Sequence, residues 1–98
     1  MNVIQLTEPK HVHPQDQNGN DYEYVKITNL DTFSVDRIII FAYGNIVSAE
    51  WVENTFKSYK VNVRDSYATL LASLPVDILF YQYLIDSEIL DGTIVDAL

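Results

Sequence analysis

His11 and His13 flank Val12 early in the chain, and Asp16 and Asp21 follow shortly after. On an extended backbone such an H-x-H pair projects both rings to one side, and either aspartate would complete a set of metal ligands. The chain holds only 2 histidines and no cysteine, so the fuller spacing of a zinc site is missing. Solvated surface histidines are the commoner reading of such a pair, and no metal or other cofactor is expected. A second chemistry would use paired carboxylates, Glu50 with Glu53 or Asp86 with Glu88. On a helix the first pair would share a face at i and i+3. Hydrolysis by such a pair needs one carboxyl desolvated in a cleft, which raises its pKa, and the flanking residues give no sign of a cleft. These acids read as solubilising groups. G-x-S-x-G, HExxH and phosphate-binding glycine loops do not occur, and 3 glycines leave little scope for the last. The expectation is a protein that is not an enzyme.

The charge balance narrows the partners. Acidic residues number 14 against 6 basic ones, a formal net charge of −8. That balance repels nucleic-acid backbones and anionic membranes, so direct binding to either is not expected. Lys57, Lys60 and Arg64 form the basic cluster, while Pro75 to Leu98 carries acids and no base. The cluster reads as a solvated face, or as a contact for the acids of a second copy. The acidity suits a basic protein partner, with solubility as the plainer account. No apolar run is long enough to span a bilayer. The first residues lack the basic start and apolar run of a signal peptide, and cysteine is absent. The expected location is the cytoplasm of the producing or infected cell.

The elements that must position these groups follow from punctuation and period. The 98 residues suit a single domain. Asn2 to Leu6 reads as a short strand, and Thr7 to Asp21 as an exposed loop with a turn at Asn18-Gly19. Residues 22–63 read as mainly β. Tyr22 to Asn29 alternates as a strand and Asn29 to Thr32 resembles a turn. Arg37 to Tyr43 is a central strand, and Gly44-Asn45 is a tight hairpin. Between Ser48 and Lys60 a helix competes with two short strands turning at Glu53-Asn54. The β-branched Val61 and Val63 favour the strands. Residues 65–91 read as helical: a first helix capped at Asp65 or Ser66, then Pro75 and a second helix stopped by Asp91-Gly92. Residues 92–98 form a tail whose Thr93-Ile94-Val95 adds a strand or frays. The fold class is therefore α+β: a small antiparallel meander of three to four strands, followed by two C-terminal helices packed on one face.

The segment Val76 to Leu90 has apolar residues on two sides when drawn as a helix. Val76, Leu79, Phe80, Tyr83 and Leu90 share one stripe. Ile78, Tyr81, Ile85 and Ile89 share the other, with Asp77, Gln82, Asp86 and Glu88 in the seams. One stripe suffices to sit on a core, so the second implies cover from a partner. Tyrosines number 7, many for this length, and Tyr22 and Tyr24 join Tyr81 as candidates for that contact, because tyrosine is enriched at interfaces. The expected partner-binding set is Tyr22, Tyr24, Asp77, Ile78, Tyr81, Gln82, Ile85, Asp86, Glu88 and Ile89. The leading functional expectation is a small acidic protein-binding module that acts by occupancy. In size, acidity and missing motifs it is similar in general type to phage or mobile-element proteins that inhibit a host or defence protein, although no residue pattern carries that likeness. The alternative is a structural homo-oligomer or assembly component. A third is a nucleic-acid mimic that fills a basic groove.

Overall fold

The β-branched and aromatic run RIIIFAYGNIV forms the longest strand, β3 (Arg37–Val47), and the sheet is assembled around it. The computed structural model describes residues 1–31, 37–63 and 76–98, without the side chains of Asp31, Arg37, Val76 and Asp77. Before β3 come β1 (Asn2–Lys10) and β2 (Tyr22–Asp31). After it come β4 (Glu50–Glu53), β5 (Tyr59–Val63), the helix α1 (Val76–Asp86) and β6 (Gly92–Asp96). The strands make one 6-stranded sheet in the order β4-β3-β2-β1-β6, with β5 also beside β3. Every pairing is antiparallel.

This corrects the expected fold class. The sheet has 6 strands rather than three or four, and the described residues contain one helix of 11 residues rather than two C-terminal helices. That helix is not terminal, because the tail expected at 92–98 supplies β6, which pairs with β1 from Asn2↔Asp96 to Leu6↔Gly92. The helix expected from Asp65 lies outside the described residues. The strand alternative for 48–63 is the one observed, but β4 and β5 do not pair with each other. They share one side of β3, β4 on Gly44–Val47 and β5 on Arg37–Phe41.

Turn chemistry explains the other differences. The expected hairpin at Gly44-Asn45 lies instead at Ser48-Ala49, where φ is 53° and 63° and Val47 pairs with Glu50. Two consecutive positive φ values match the twist of a two-residue hairpin. Gly44 is spent on a close approach: a Cβ there would stand 2.4 Å from Cζ2 of Trp51. Asn45 is spent through its side chain, described below. The expected turn at Asn29 to Thr32 is corrected too, since β2 continues to Asp31 past a bulge between Ile27 and Asn29. The expected stop at Gly92 falls earlier. Glu88, at φ 60°, takes the left-handed position after α1. Its N–H donates to Ile85 O at 3.0 Å, and Ile89 N–H donates to Leu84 O at 3.1 Å. That pair of bonds is a Schellman motif.

The period-two alternation gives the sheet a covered face. Ile4, Val25 and Tyr43 form a row across β1, β2 and β3, and Ile39 and Phe41 continue it beside Val61 and Tyr59. These residues join Leu79, Phe80, Tyr81, Tyr83 and Leu84 of α1 in one core cluster. Phe41 stacks on Tyr59 at 5.3 Å, and Tyr43 meets both rings edge-on. Burying side chains such as Phe80 and Leu84 stabilises by about 2–3 kcal/mol each. The other face carries Tyr24, Lys26, Ala42 and Gly44. Trp51 lies over Gly44, with the Lys26 ammonium 5.9 Å from its ring.

Candidate functional site

The segment between β1 and β2, expected to be an exposed loop, is tied to the sheet by buried polar groups. β1 itself runs on to Lys10, and Val12 and Asp16 are both buried. One Asp16 oxygen accepts the N–H groups of Asn18 and Asn20 at 2.9 and 2.8 Å. The other accepts from Asn45 Nδ2 at 2.7 Å. Asn45 also donates to Asp21 O and accepts from Glu23 N–H, so one side chain of β3 anchors both ends of the turn. Buried polar side chains are hydrogen-bonded as a rule, and the Asp16 carboxylate and the Asn45 amide both comply. The Asn20 N–H, with help from Asn45 and Asn18, holds the Asp16 carboxyl below its ordinary value against the opposing effect of burial. Asp21 is lowered as well, by Gln15 and then by His11, whose Nδ1 lies 2.8 Å away.

An open cleft of about 600 Å³ lies beside this turn, lined by Asp16, Asp21, Glu23 and Asn45 among others. Its carboxylates at Asp16 and Asp21 are engaged in the bonds just named. Among the described residues no group of three or more histidine, cysteine or acidic side chains is placed to hold a metal ion. The pair Glu50 and Glu53 stands at the two ends of β4. Glu53 accepts from the Trp51 indole at 3.2 Å.

The expected contact residues separate into two groups. Tyr81 is 3% exposed, and its hydroxyl accepts the Ile27 N–H at 2.9 Å, at the bulge in β2. Its place on an outer stripe is therefore corrected: the ring belongs to the core, because β1 pairs with β2 no further than Ile4↔Val25 and leaves at Ile27 a backbone donor that a phenol on α1 can reach. Tyr22 is buried too and donates to Pro14 O at 2.9 Å, while burial raises its phenol pKa. Tyr24 is half-buried on the face of the sheet away from α1. The other group faces outward. Ile78 is 44% exposed and Ile89 is 40% exposed. Ile85 is half-buried and packs against the core. Gln82 and Asp86 are exposed and bonded to each other at 2.8 Å, and Glu88 is exposed in the cap. Asp77 falls in the first turn of α1. Ile78 and Ile85, two turns apart, project from one side of the helix, with Gln82 between them.

One exposed aromatic was not anticipated. Phe56 is 81% exposed, in the stretch between β4 and β5. Asn54 holds that stretch: its Oδ1 accepts the N–H groups of Phe56 and Lys57. Its Nδ2 donates to Pro14 O and its own N–H to Tyr43 O. The Asn-x-Phe-Lys spacing was the available signal, an asparagine able to bond the backbone two and three residues on.

Comparison with models of known protein families, with curated proteins and with solved structures finds no match to this chain.

Proposed function

We propose that the protein is a binding module that works by covering a surface of another protein, as a small inhibitor does. The observation that supports this is the outer side of α1. Ile78 on the helix and Ile89 just past its cap remain at 44% and 40% exposure, with half-buried Ile85 in line with Ile78 and exposed Gln82, Asp86 and Glu88 in the same stretch. An apolar strip rimmed by carboxylates suits a partner with a matching apolar patch and a basic border. Tyr81 takes no part in this surface, and the buried Tyr22 takes none either. Among the described residues no helix is long and apolar enough to cross a membrane.

The test is affinity capture from cells that contain the protein, run in parallel with wild type and with Ile78→Asp. Ile78 is exposed, so the variant keeps its fold. The expected result is at least one captured protein lost from the variant, with recombinant binding that changes little with salt. Capture that is equal for both would refute the reading. Binding that collapses steeply with salt would instead favour acidic mimicry of a nucleic acid.

A further inference from the structure

β6 is the last strand of its side of the sheet. Thr7 N–H donates to Asp91 O at 2.9 Å, and Ala97 N–H donates to Met1 O at 3.1 Å. In an antiparallel ladder the bonded residues alternate, so Asp91, Thr93, Val95 and Ala97 turn their backbone groups toward β1. Gly92, Ile94 and Asp96 therefore turn theirs outward, and no described strand meets them.

We propose that this edge pairs antiparallel with β6 of a second copy, about a two-fold axis at Ile94. The reason for a second copy rather than a foreign strand is self-complementarity. Setting Ile94 against Ile94 places Gly92 of each chain opposite Asp96 of the other. That register matches every outward donor with an outward acceptor, and a shift along the strand leaves some unmatched. It also places the end of β6 that follows Ile89 beside the end that holds Met1 and Leu98. These are three of the five exposed large hydrophobic side chains among the described residues, at 40%, 38% and 43% exposure. The two-fold axis repeats this contact at both ends of the pair. The acid within the strand is already countered, because Asp96 lies 2.8 Å from the amino group of Met1. Asp91 and Asp96 occupy opposite faces of the strand by the period of two, so the pairing does not stack like charges. The strand is short and carries one acid, but it lacks the lysine, proline and bulge that guard many edges.

Five residues and their flanks bury less than the roughly 800 Å² per partner of a standard interface, so the dimer forms at micromolar rather than nanomolar concentration. The inference shares Ile89 with the reading of α1 but does not use Ile78. Ile78→Asp, which leaves the β6 edge intact, and Ile94→Pro, which leaves the outer side of α1 intact, therefore tell the two apart.

The experiment is sedimentation of the full chain across a concentration series, with amide hydrogen exchange at both ends of the series. The expected result is a monomer–dimer equilibrium. The amides of Gly92, Ile94 and Asp96 slow as concentration rises, while those of Thr93 and Val95 do not change. Ile89→Asp should raise the dissociation constant about tenfold or more through lost apolar cover. Ile94→Pro deletes an outward N–H without touching the ladder to β1, and should leave a monomer. Should that variant not fold, exchange in the wild type decides alone. A chain that stays monomeric near millimolar concentration overturns the inference, as does a dimer in which the three outward amides exchange unchanged.

Discussion

The two sides of the sheet treat their exposed strands differently. Beyond β3 the cover is broken: β4 ends at Glu53, the chain bulges outward at 54–58, and β5 resumes at Tyr59. Lys57 rides over the Tyr59 ring at 5.7 Å, and Lys60 is exposed along β5. Interruption and lysines are the devices that keep an edge from recruiting another strand. Beyond β1, β6 runs unbroken and without a basic side chain. A chain of net charge −8 with few lysines has spent two of its 6 bases at one edge and none at the other. The contrast teaches that, among the described residues, devices against pairing with another strand are concentrated at β5, while β6 carries neither lysine nor interruption.

Both edges depend on a glycine, and replacing each is the largest way to break them. A Cβ at Gly92 would stand 2.4 Å from Gln5 O and 2.7 Å from Cγ2 of Ile4. The first of these is backbone of the paired strand and cannot swing away. Gly92→Ala should cost about 3 kcal/mol, the upper part of the range for overpacking, and release the β6 amides in hydrogen exchange before those of β3. At Gly44 the nearest atoms belong to the Trp51 ring, which can rotate, and Val52 O follows at 2.7 Å. Gly44→Ala should cost less, about 2 kcal/mol, with a change in tryptophan fluorescence. Equal loss from both would show that the two edges are attached alike.

Asn54→Ala tests the guard on the β5 side. It removes the acceptor for two backbone N–H groups and the donor to Pro14 O. Each lost bond at a buried site costs about 1 kcal/mol, and solvent can repair part of the loss. Chemical denaturation should register about 2 kcal/mol, with faster proteolysis near Phe56. Unchanged stability would mean that the bulge holds itself without this side chain.

How far the sequence disclosed these features varies with the kind of signal. Uninterrupted β-branched runs marked β3, and alternation marked β2, because those patterns need nothing distant to be read. Leu79, Phe80, Tyr83 and Leu90 were legible as one apolar stripe for the same reason, and all four are buried, but the period alone could not say which of the two stripes faces the core. Gly44-Asn45 misled because a glycine that makes room for an indole resembles one that turns the chain. An asparagine that anchors a distant loop likewise resembles a turn residue. Ser48-Ala49, which does turn, carries no such mark. β6 was ambiguous because a five-residue strand at the end of a chain is defined by its partner, β1, some 90 positions away by register. Tyr81 was misplaced since its stripe on the helix gave no warning of the Ile27 N–H that lies past the end of the β1–β2 pairing. In each case the deciding contact lies far off in sequence.

Acid should loosen the turn beside β1 and β2 ahead of the edges. Asp16 titrates below its ordinary 3.8 in the folded chain, so its contribution is present above that value and is lost as pH falls through the lower folded pKa. Asp16→Asn resembles the protonated acid and should cost about 1.5 kcal/mol at neutral pH. Melting temperatures of the two proteins should converge as pH drops below the carboxylate range. A gap that stays constant with pH would show that shape at this position, rather than charge, holds the turn.

The smallest effect concerns how the chain enters β6. Glu88 holds a left-handed φ of 60° so that Ile89 can return its N–H to Leu84 O. A side chain in that region is strained, and glycine adopts it freely. Glu88 is exposed and near the negative end of α1, where a carboxylate is unfavourable as well. Glu88→Gly should therefore raise stability by roughly 0.5–1 kcal/mol, although glycine also adds entropy to the unfolded chain. The gain should be visible as slower exchange in α1 and β6, with β4 and β5 unaffected. Stability that falls instead would mean the Glu88 side chain contributes more to this junction than its backbone strain costs.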